Sequence, residues 1–181
     1  MGRRTVVMNV LIALAALLVG LPVLATLAGC LLPRDHVARM TIDLHSPPER
    51  VWALISDVAA TARWRHDVKH ITIAAGTPVR FTEKSEHGDT PYEIVSQEPP
   101  MRQVIRVVDQ GRPFGGTWTW AIEPRDGGSR LTITEAGFVK NPFFRVMAKL
   151  FFKPTATMER YLRDLARELN DDAAPREVAA S

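Results

Sequence analysis

Three hydropathy regimes follow one another along the chain. From Thr5 to Pro33 there is no charged residue, and residues 6–32 are almost continuously apolar. As a helix that stretch would extend about 40 Å, against about 30 Å of bilayer hydrocarbon. Asn9 and Pro22 weaken it little, because membrane helices tolerate Pro. The second regime has period two. In residues 36–45, Ala38, Met40, Ile42 and Leu44 alternate with Val37, Arg39, Thr41 and Asp43, which predicts a strand with one buried face. Ser46-Pro47-Pro48-Glu49 then opens a helix, with Pro in the first turn and Glu49 placed for a capping box. Val51, Trp52, Leu54, Ile55 and Val58 follow at helical spacing. That helix should end near Asp57, and a second short one should cover residues 59–64.

Period two returns over residues 68–75, 79–86, 92–98, 102–109, 116–123 and 130–139, six further strands separated by Gly- and Pro-rich turns. Asp126-Gly127-Gly128-Ser129 is the strongest hairpin signal among them. Short connections predict an antiparallel meander. The third regime has period 3.6. Asn141-Pro142 starts a helix, and Met158, Tyr161, Leu162, Leu165, Ala166 and Leu169 form one apolar stripe that should lie on the sheet. Pro154 should kink or divide this helix. Residues 171–181 are polar and Ala-rich and read as a disordered tail. The expected domains are therefore an anchor or signal over 1–33, a body over 36–170, and the tail.

The first regime has two readings. Arg3 and Arg4 precede the apolar run, so an uncleaved span would keep the N-terminus inside and the body outside. Alternatively, Leu27-Ala28-Gly29-Cys30 is similar to a lipobox, with Cys30 as the lipidated residue of a cleaved lipoprotein. The run exceeds the usual length of a signal core and continues through Leu31 and Leu32, which favours the span.

Charge excludes one class of partner. The formal charge is +3, but three of the basic residues are Arg3, Arg4 and Arg34, so the body is close to neutral. No cationic stripe is available for nucleic acid. A single Cys rules out an internal disulfide framework. No metal or cofactor is expected: the five His lack a zinc-hydrolase spacing, and no nucleophile elbow, phosphate cradle or dinucleotide fingerprint occurs. Glu135 alternates with Leu131 and Ile133, so it is either an inward acid able to do acid–base work or a solvated acid near a strand end. Asp57, Arg65, His66 and Tyr92 are further polar candidates.

The segment Ser46-Pro-Pro-Glu-Arg-Val-Trp-Ala-Leu-Ile-Ser-Asp57, followed by Trp64, resembles the START-like, helix-grip superfamily, in particular its bacterial polyketide cyclase/dehydrase and lipid-transport (SRPBCC) branch. Asn141-Pro142-Phe143-Phe144-Arg145 and the Leu-Pro-Arg-Asp-His run before the first strand are similar to it as well. The resemblance covers about residues 36–170. It implies an α+β fold in which a seven-stranded antiparallel sheet wraps around a long C-terminal helix, with two short helices after the first strand. It also implies a cavity between sheet and helix for a lipid or other hydrophobic small molecule, while the apolar first segment places the body at a bacterial cell membrane. Its wall candidates are Trp64, Phe81, Tyr92, Trp118, Trp120, Phe138, Met147, Phe151 and Met158. Two other activities stay open: a cyclase or dehydratase using Glu135, His66 or Tyr92, and an envelope interaction domain with no ligand. Alternation puts Trp118, Trp120 and Ile122 on one face and Thr117, Thr119 and Ala121 on the other, without deciding which looks inward.

Overall fold

The computed structural model describes residues 2–86, 88–108, 111–151, 153 and 155–179. They fall into two compact units, one drawn from Met1–Arg34 and Val139–Lys153, the other from Asp35–Phe138 and Pro154–Ser181.

The first unit is helical. Helix α1 (Gly2–Cys30) carries Pro22 in its interior, and Arg4–Cys30 is long and apolar enough to cross a membrane. Helix α4 (Pro142–Phe151) starts where the Asn-Pro pair predicts. The Asn141 side chain accepts the Phe143 N–H at 2.9 Å, and so satisfies one of the amides that the first turn leaves unbonded. Between the two helices the backbones almost touch. A Cβ on Gly29 would lie 1.9 Å from the Pro142 carbonyl oxygen, so only Gly allows this approach. Arg145 fastens the junction. Its guanidinium donates to the carbonyls of Val139 at 2.8 Å, Lys140 at 2.9 Å, Gly29 at 3.3 Å and Leu32 at 3.4 Å.

The second unit is an antiparallel sheet with helices on one face. Its strands are β1 (Asp35–Leu44), β2 (Val68–Ala74), β3 (Arg80–Ser85), β4 (Gly88–Glu98), β5 (Arg102–Val107), β6 (Phe114–Arg125), β7 (Gly128–Val139) and β8 (Arg176–Glu177), and their spatial order is β2-β3-β4-β5-β6-β7-β1-β8. Eight strands replace the seven expected. The extra one lies within the segment read as a disordered tail, and polar bonds hold it there. The Asp171 carboxylate accepts the N–H of His45 at 2.7 Å and of Ala173 at 3.1 Å. Met40 then pairs with Glu177 and Thr41 with Arg176.

Helix α2 (Pro48–Ser56) follows β1, and Asp57 ends it by accepting the Ala60 N–H with its side chain. The expected second helix is divided into a 3-10 turn (Val58–Ala60) and a single turn of α-helix, α3 (Thr61–Trp64). Strand β4 starts earlier than expected. Asp89, Thr90 and Pro91, read as a separator, pair with Lys84, Glu83 and Thr82. Helix α5 (Thr155–Glu168) buries Met158, Tyr161, Leu162, Leu165 and Ala166. Pro154, expected to divide the terminal helix, lies outside the described residues.

Pairing settles which sheet face is the inner one. Ala38, Met40, Ile42 and Leu44 of β1, Leu131 and Ile133 of β7, Trp120 and Ile122 of β6 and Phe81 of β3 share one buried cluster with the α5 stripe and with Val51 and Ile55 of α2. Trp118 and Ile105 are register partners, so the Trp118–Trp120–Ile122 face is the one that α5 covers. Burying such side chains at about 25 cal/mol per Å² is what holds helix and sheet together.

Candidate functional site

The polar groups on this inner face gather around Arg65, the residue that ends α3. Arg65 lies almost wholly out of solvent, with 8% of its side chain exposed. Its guanidinium donates to both oxygens of Asp67, at 3.0 and 2.8 Å, and through Nη1 to Glu83 Oε1 at 2.8 Å. It also sits 5.2 Å from the centre of the Tyr161 ring, a cation–π contact. Strand alternation explains why Glu83 points here, since it lies two residues beyond Phe81 on the same face of β3.

An aromatic wall adjoins the ions. Phe81 stacks on Tyr92 with ring centres 5.4 Å apart, the two being register partners on β3 and β4. Tyr161 of α5 is the hub of the remainder. Its ring meets Trp64 edge-on at 5.2 Å, Trp120 at 5.8 Å and Trp118 at 6.4 Å. Trp64, Phe81, Trp120 and Met158 are buried, whereas Tyr92 and Trp118 are only half-buried.

These surroundings shift the titrating groups in different directions. Burial pushes the Glu83 carboxyl up; Arg65 offsets part of this, and the Asp67 charge adds to it. Burial acts against the Asp67 charge, but the two-pronged bond from Arg65, the Arg65 charge and a backbone bond together outweigh it and hold that carboxyl below its usual range. Desolvation works against the Arg65 charge, and Glu83 and Asp67 more than restore it. Burial, followed by the nearby Glu83 charge, pushes the Tyr92 phenol well above its ordinary value, and the charge of Glu135 contributes as well. Tyr161 is pushed up by burial in the same way. Both phenols therefore stay protonated and can serve as hydrogen-bond donors.

Glu135 lies opposite Ala38 in the β1–β7 register, on the buried face, with its side chain 23% exposed. His36 Nε2 approaches it at 3.8 Å. The hydrogen bond to Glu135 raises the His36 pKa against the effect of burial. His66 has a structural position instead. Its N–H donates to Asp164 Oδ2 at 2.9 Å, its Nδ1 lies 3.1 Å from Asp164 Oδ1, and its side chain is 69% exposed.

Three wall candidates are placed elsewhere. Phe138 alternates with Gly137 and Glu135 and so points to the outer face, where its ring covers Gly115: a Cβ there would lie 2.7 Å from Phe138 Cζ. It lines a pocket of about 470 Å³ together with Glu93, Arg106, Thr117, Ala136 and Val108. The floor of that pocket is the outward row in which Glu93 pairs with Arg106, and Arg106 with Thr117. Met147 and Phe151 belong to α4 in the first unit, Phe151 being exposed.

Glu83 and Asp67 were missed by the sequence reading. The signal was present in Phe81-x-Glu83, an acid sharing a strand face with a large apolar residue. At the surface, His45, Asp171 and Asp172 bring potential metal ligand atoms within 4.8 Å of one another, but Asp171 already holds the tail through the bonds described above.

Residues 35–170 match the family described as polyketide cyclase / dehydrase and lipid transport. No curated protein matches the sequence. Among solved structures, norcoclaurine synthase from Thalictrum flavum in complex with dopamine and hydroxybenzaldehyde is similar with a TM-score of 0.62 at 9% identity, over 75% of this chain and 87% of that one. A conserved protein from Geobacillus kaustophilus gives 0.61 at 15% identity, over 78% and 99%. The di-domain ARO/CYC StfQ from the steffimycin biosynthetic pathway gives 0.61 at 12% identity, over 76% of this chain and 52% of that one. The chain thus spans about half the length of StfQ. At these identities the likeness is one of fold, the helix-grip arrangement of α5 on an antiparallel sheet. Because the matched segment takes in β1 to β7 and the whole of α5, the chain belongs to the polyketide cyclase / dehydrase and lipid transport family.

Proposed function

We propose that this protein is a membrane-anchored binding module for a hydrophobic small molecule or lipid, held against the inner sheet face with its polar end toward Tyr92 and Glu83. The observation that carries this reading is the Arg65–Asp67–Glu83 ion cluster set beside the Phe81–Tyr92–Trp118 wall. Apolar ligands bind to apolar walls with a few fixed polar groups for orientation, and this arrangement supplies both. The family description, which includes lipid transport, and the apolar helix α1 support the same reading. The N-terminus lies on the cytoplasmic side of a bacterial cell membrane and the sheet domain on the outer side. An uncleaved anchor is preferred over a lipoprotein because Gly29 takes part in the α1–α4 junction, and cleavage before Cys30 would remove it.

Native mass spectrometry of the full chain, released from mild detergent and then solvent-extracted, tests the binding reading. An apolar ligand recovered from the wild type and lost or reduced at least threefold in Trp118→Ala is the expected result. Recovery of no ligand from any preparation, with no response of Trp fluorescence to a panel of fatty acids, sterols and aromatic polyketides, overturns it.

A second reading rests on the Glu135–His36 pair, an acid and an imidazole on the inner face, of which the Glu135 charge reaches Tyr92. In a cyclase or dehydratase, Glu135→Gln would abolish turnover while leaving ligand binding within about twofold.

A further inference from the structure

We propose that α4 is an interfacial helix that lies along an anionic bilayer surface, with Phe144, Leu150 and Phe151 inserted at the boundary between headgroups and acyl chains. The proposal rests on the reading of α1 as a membrane span and adds to it a second lipid-contacting element.

The junction between the helices fixes depth. A span of 27 residues extends about 40 Å, longer than about 30 Å of hydrocarbon, so its last turn emerges at the headgroup level. That last turn is where α4 is attached. Gly29 and Pro142 are in backbone contact, and the Arg145 guanidinium joins the carbonyls of Gly29 and Leu32 to those of Val139 and Lys140. With four carbonyls on one guanidinium, the start of α4 cannot leave the end of α1 without stranding a charged donor.

The side chains fit that depth. No residue of α4 is buried. Phe144 is 47% exposed, Leu150 66% and Phe151 73%. Phe144 and Phe151 are two helical turns apart and share one face, and Leu150 borders that face, on the side of the helix away from Arg145 and Lys149. Residues 139–153 contain Lys140, Arg145, Lys149 and Lys153 and no acidic residue. Exposed aromatic and aliphatic side chains beside a purely basic set are the composition of a helix lying in an anionic interface. A soluble protein partner would have to cover this side while remaining pressed to the membrane, and charge complementarity favours the lipid.

Nitroxide scanning of the full chain tests the proposal. The chain is reconstituted in nanodiscs of phosphatidylcholine and phosphatidylglycerol, with Cys30→Ala to remove the native thiol. Labels are placed one at a time through Leu17→Cys in α1 and Lys149→Cys, Leu150→Cys and Phe151→Cys in α4. Collision with oxygen against a water-soluble nickel chelate reports depth. The expected result is a deep label at 17, shallow but lipid-immersed labels at 150 and 151, and a water-exposed label at 149. Adding Gly29→Val, whose side chain collides with Pro142, should bring the label at 150 into water while the label at 17 stays deep. A deep label at 17 with labels at 150 and 151 as accessible to nickel as 149, or shielded from both reagents, overturns the proposal and leaves the span intact. A water-exposed label at 17 overturns the span itself, and the proposal with it.

Discussion

Arg65 serves two largely buried carboxylates, and such an arrangement is sensitive to the loss of its cation. Removing one partner of a buried ion pair typically costs about 3–5 kcal/mol, because the remaining charge has no solvent. Arg65→Met is therefore expected to lower the urea midpoint strongly, since Asp67 and Glu83 would both be stranded. Arg65→Lys should recover only part of the loss, because one ammonium cannot make the two-pronged bond to Asp67 and still reach Glu83. Tyr92→Phe removes only a hydroxyl from a half-buried ring, so folding should hold while ligand affinity falls about threefold to tenfold. At this scale the sequence was half legible. Tyr92, Glu135, Trp118 and Trp120 could be singled out because they lie on strands, and Trp64 because it follows the helix-entrance motif. The Arg65–Glu83 bond could not, because it joins a corner to a strand 18 residues further on, and no periodicity encodes that pairing.

Among the elements, α5 was the most legible. Its stripe from Met158 to Leu169 has a period that only a helix on an apolar surface satisfies, and its members are buried as expected. Leu162 and Leu165 are fully buried, so Leu162→Ala should destabilise the sheet domain by about 2–5 kcal/mol, read by chemical denaturation. Strand β8 was illegible for the opposite reason. Arg176-Glu177 has no apolar pattern, and the pairing depends on the Asp171 bonds and on Arg176 meeting Asp43 at 2.8 Å. That contact gives a pH signature. The Arg130 hydrogen bond, together with Arg176, lowers the Asp43 carboxyl from 3.8 to about 2. A lowered carboxyl contributes stability above its unfolded value, and the contribution is lost as pH falls through the folded one. Amide exchange at Val178, whose N–H donates to the Arg39 carbonyl at 3.1 Å, should therefore accelerate between about pH 4 and pH 2 beyond its intrinsic rate. In Asp43→Asn it should be faster already at pH 6, and only the acid step that belongs to the lowered Asp171 carboxyl should remain.

For the whole molecule, hydropathy alone separated an apolar first segment from a neutral body, and the family match begins at residue 35, just past that boundary. Which sheet face turns inward was not readable, because β6 carries Trp and Thr in strict alternation and both faces hold residues able to pack. The pairing of Trp118 with Ile105 decides it. An intact mass of the membrane-extracted protein equal to that of the full chain, with the sheet domain open to protease added outside spheroplasts, is the outcome expected for an uncleaved span. A mass starting at an acylated Cys30 would show a lipoprotein instead.

The two-residue pairing of β8 bears on how copies tolerate one another. Without it, the free side of β1 would be a bare strand edge, the kind of template on which another chain can extend a sheet. Under the membrane anchoring proposed above, copies held in one plane would collide far more often than the same number in bulk, and a modest guard over Met40 and Thr41 would have more encounters to deflect. Ending the chain at Asn170 should leave the monomer able to fold yet prone to edge-to-edge association, visible as crosslinked dimers in vesicles that the full chain does not form.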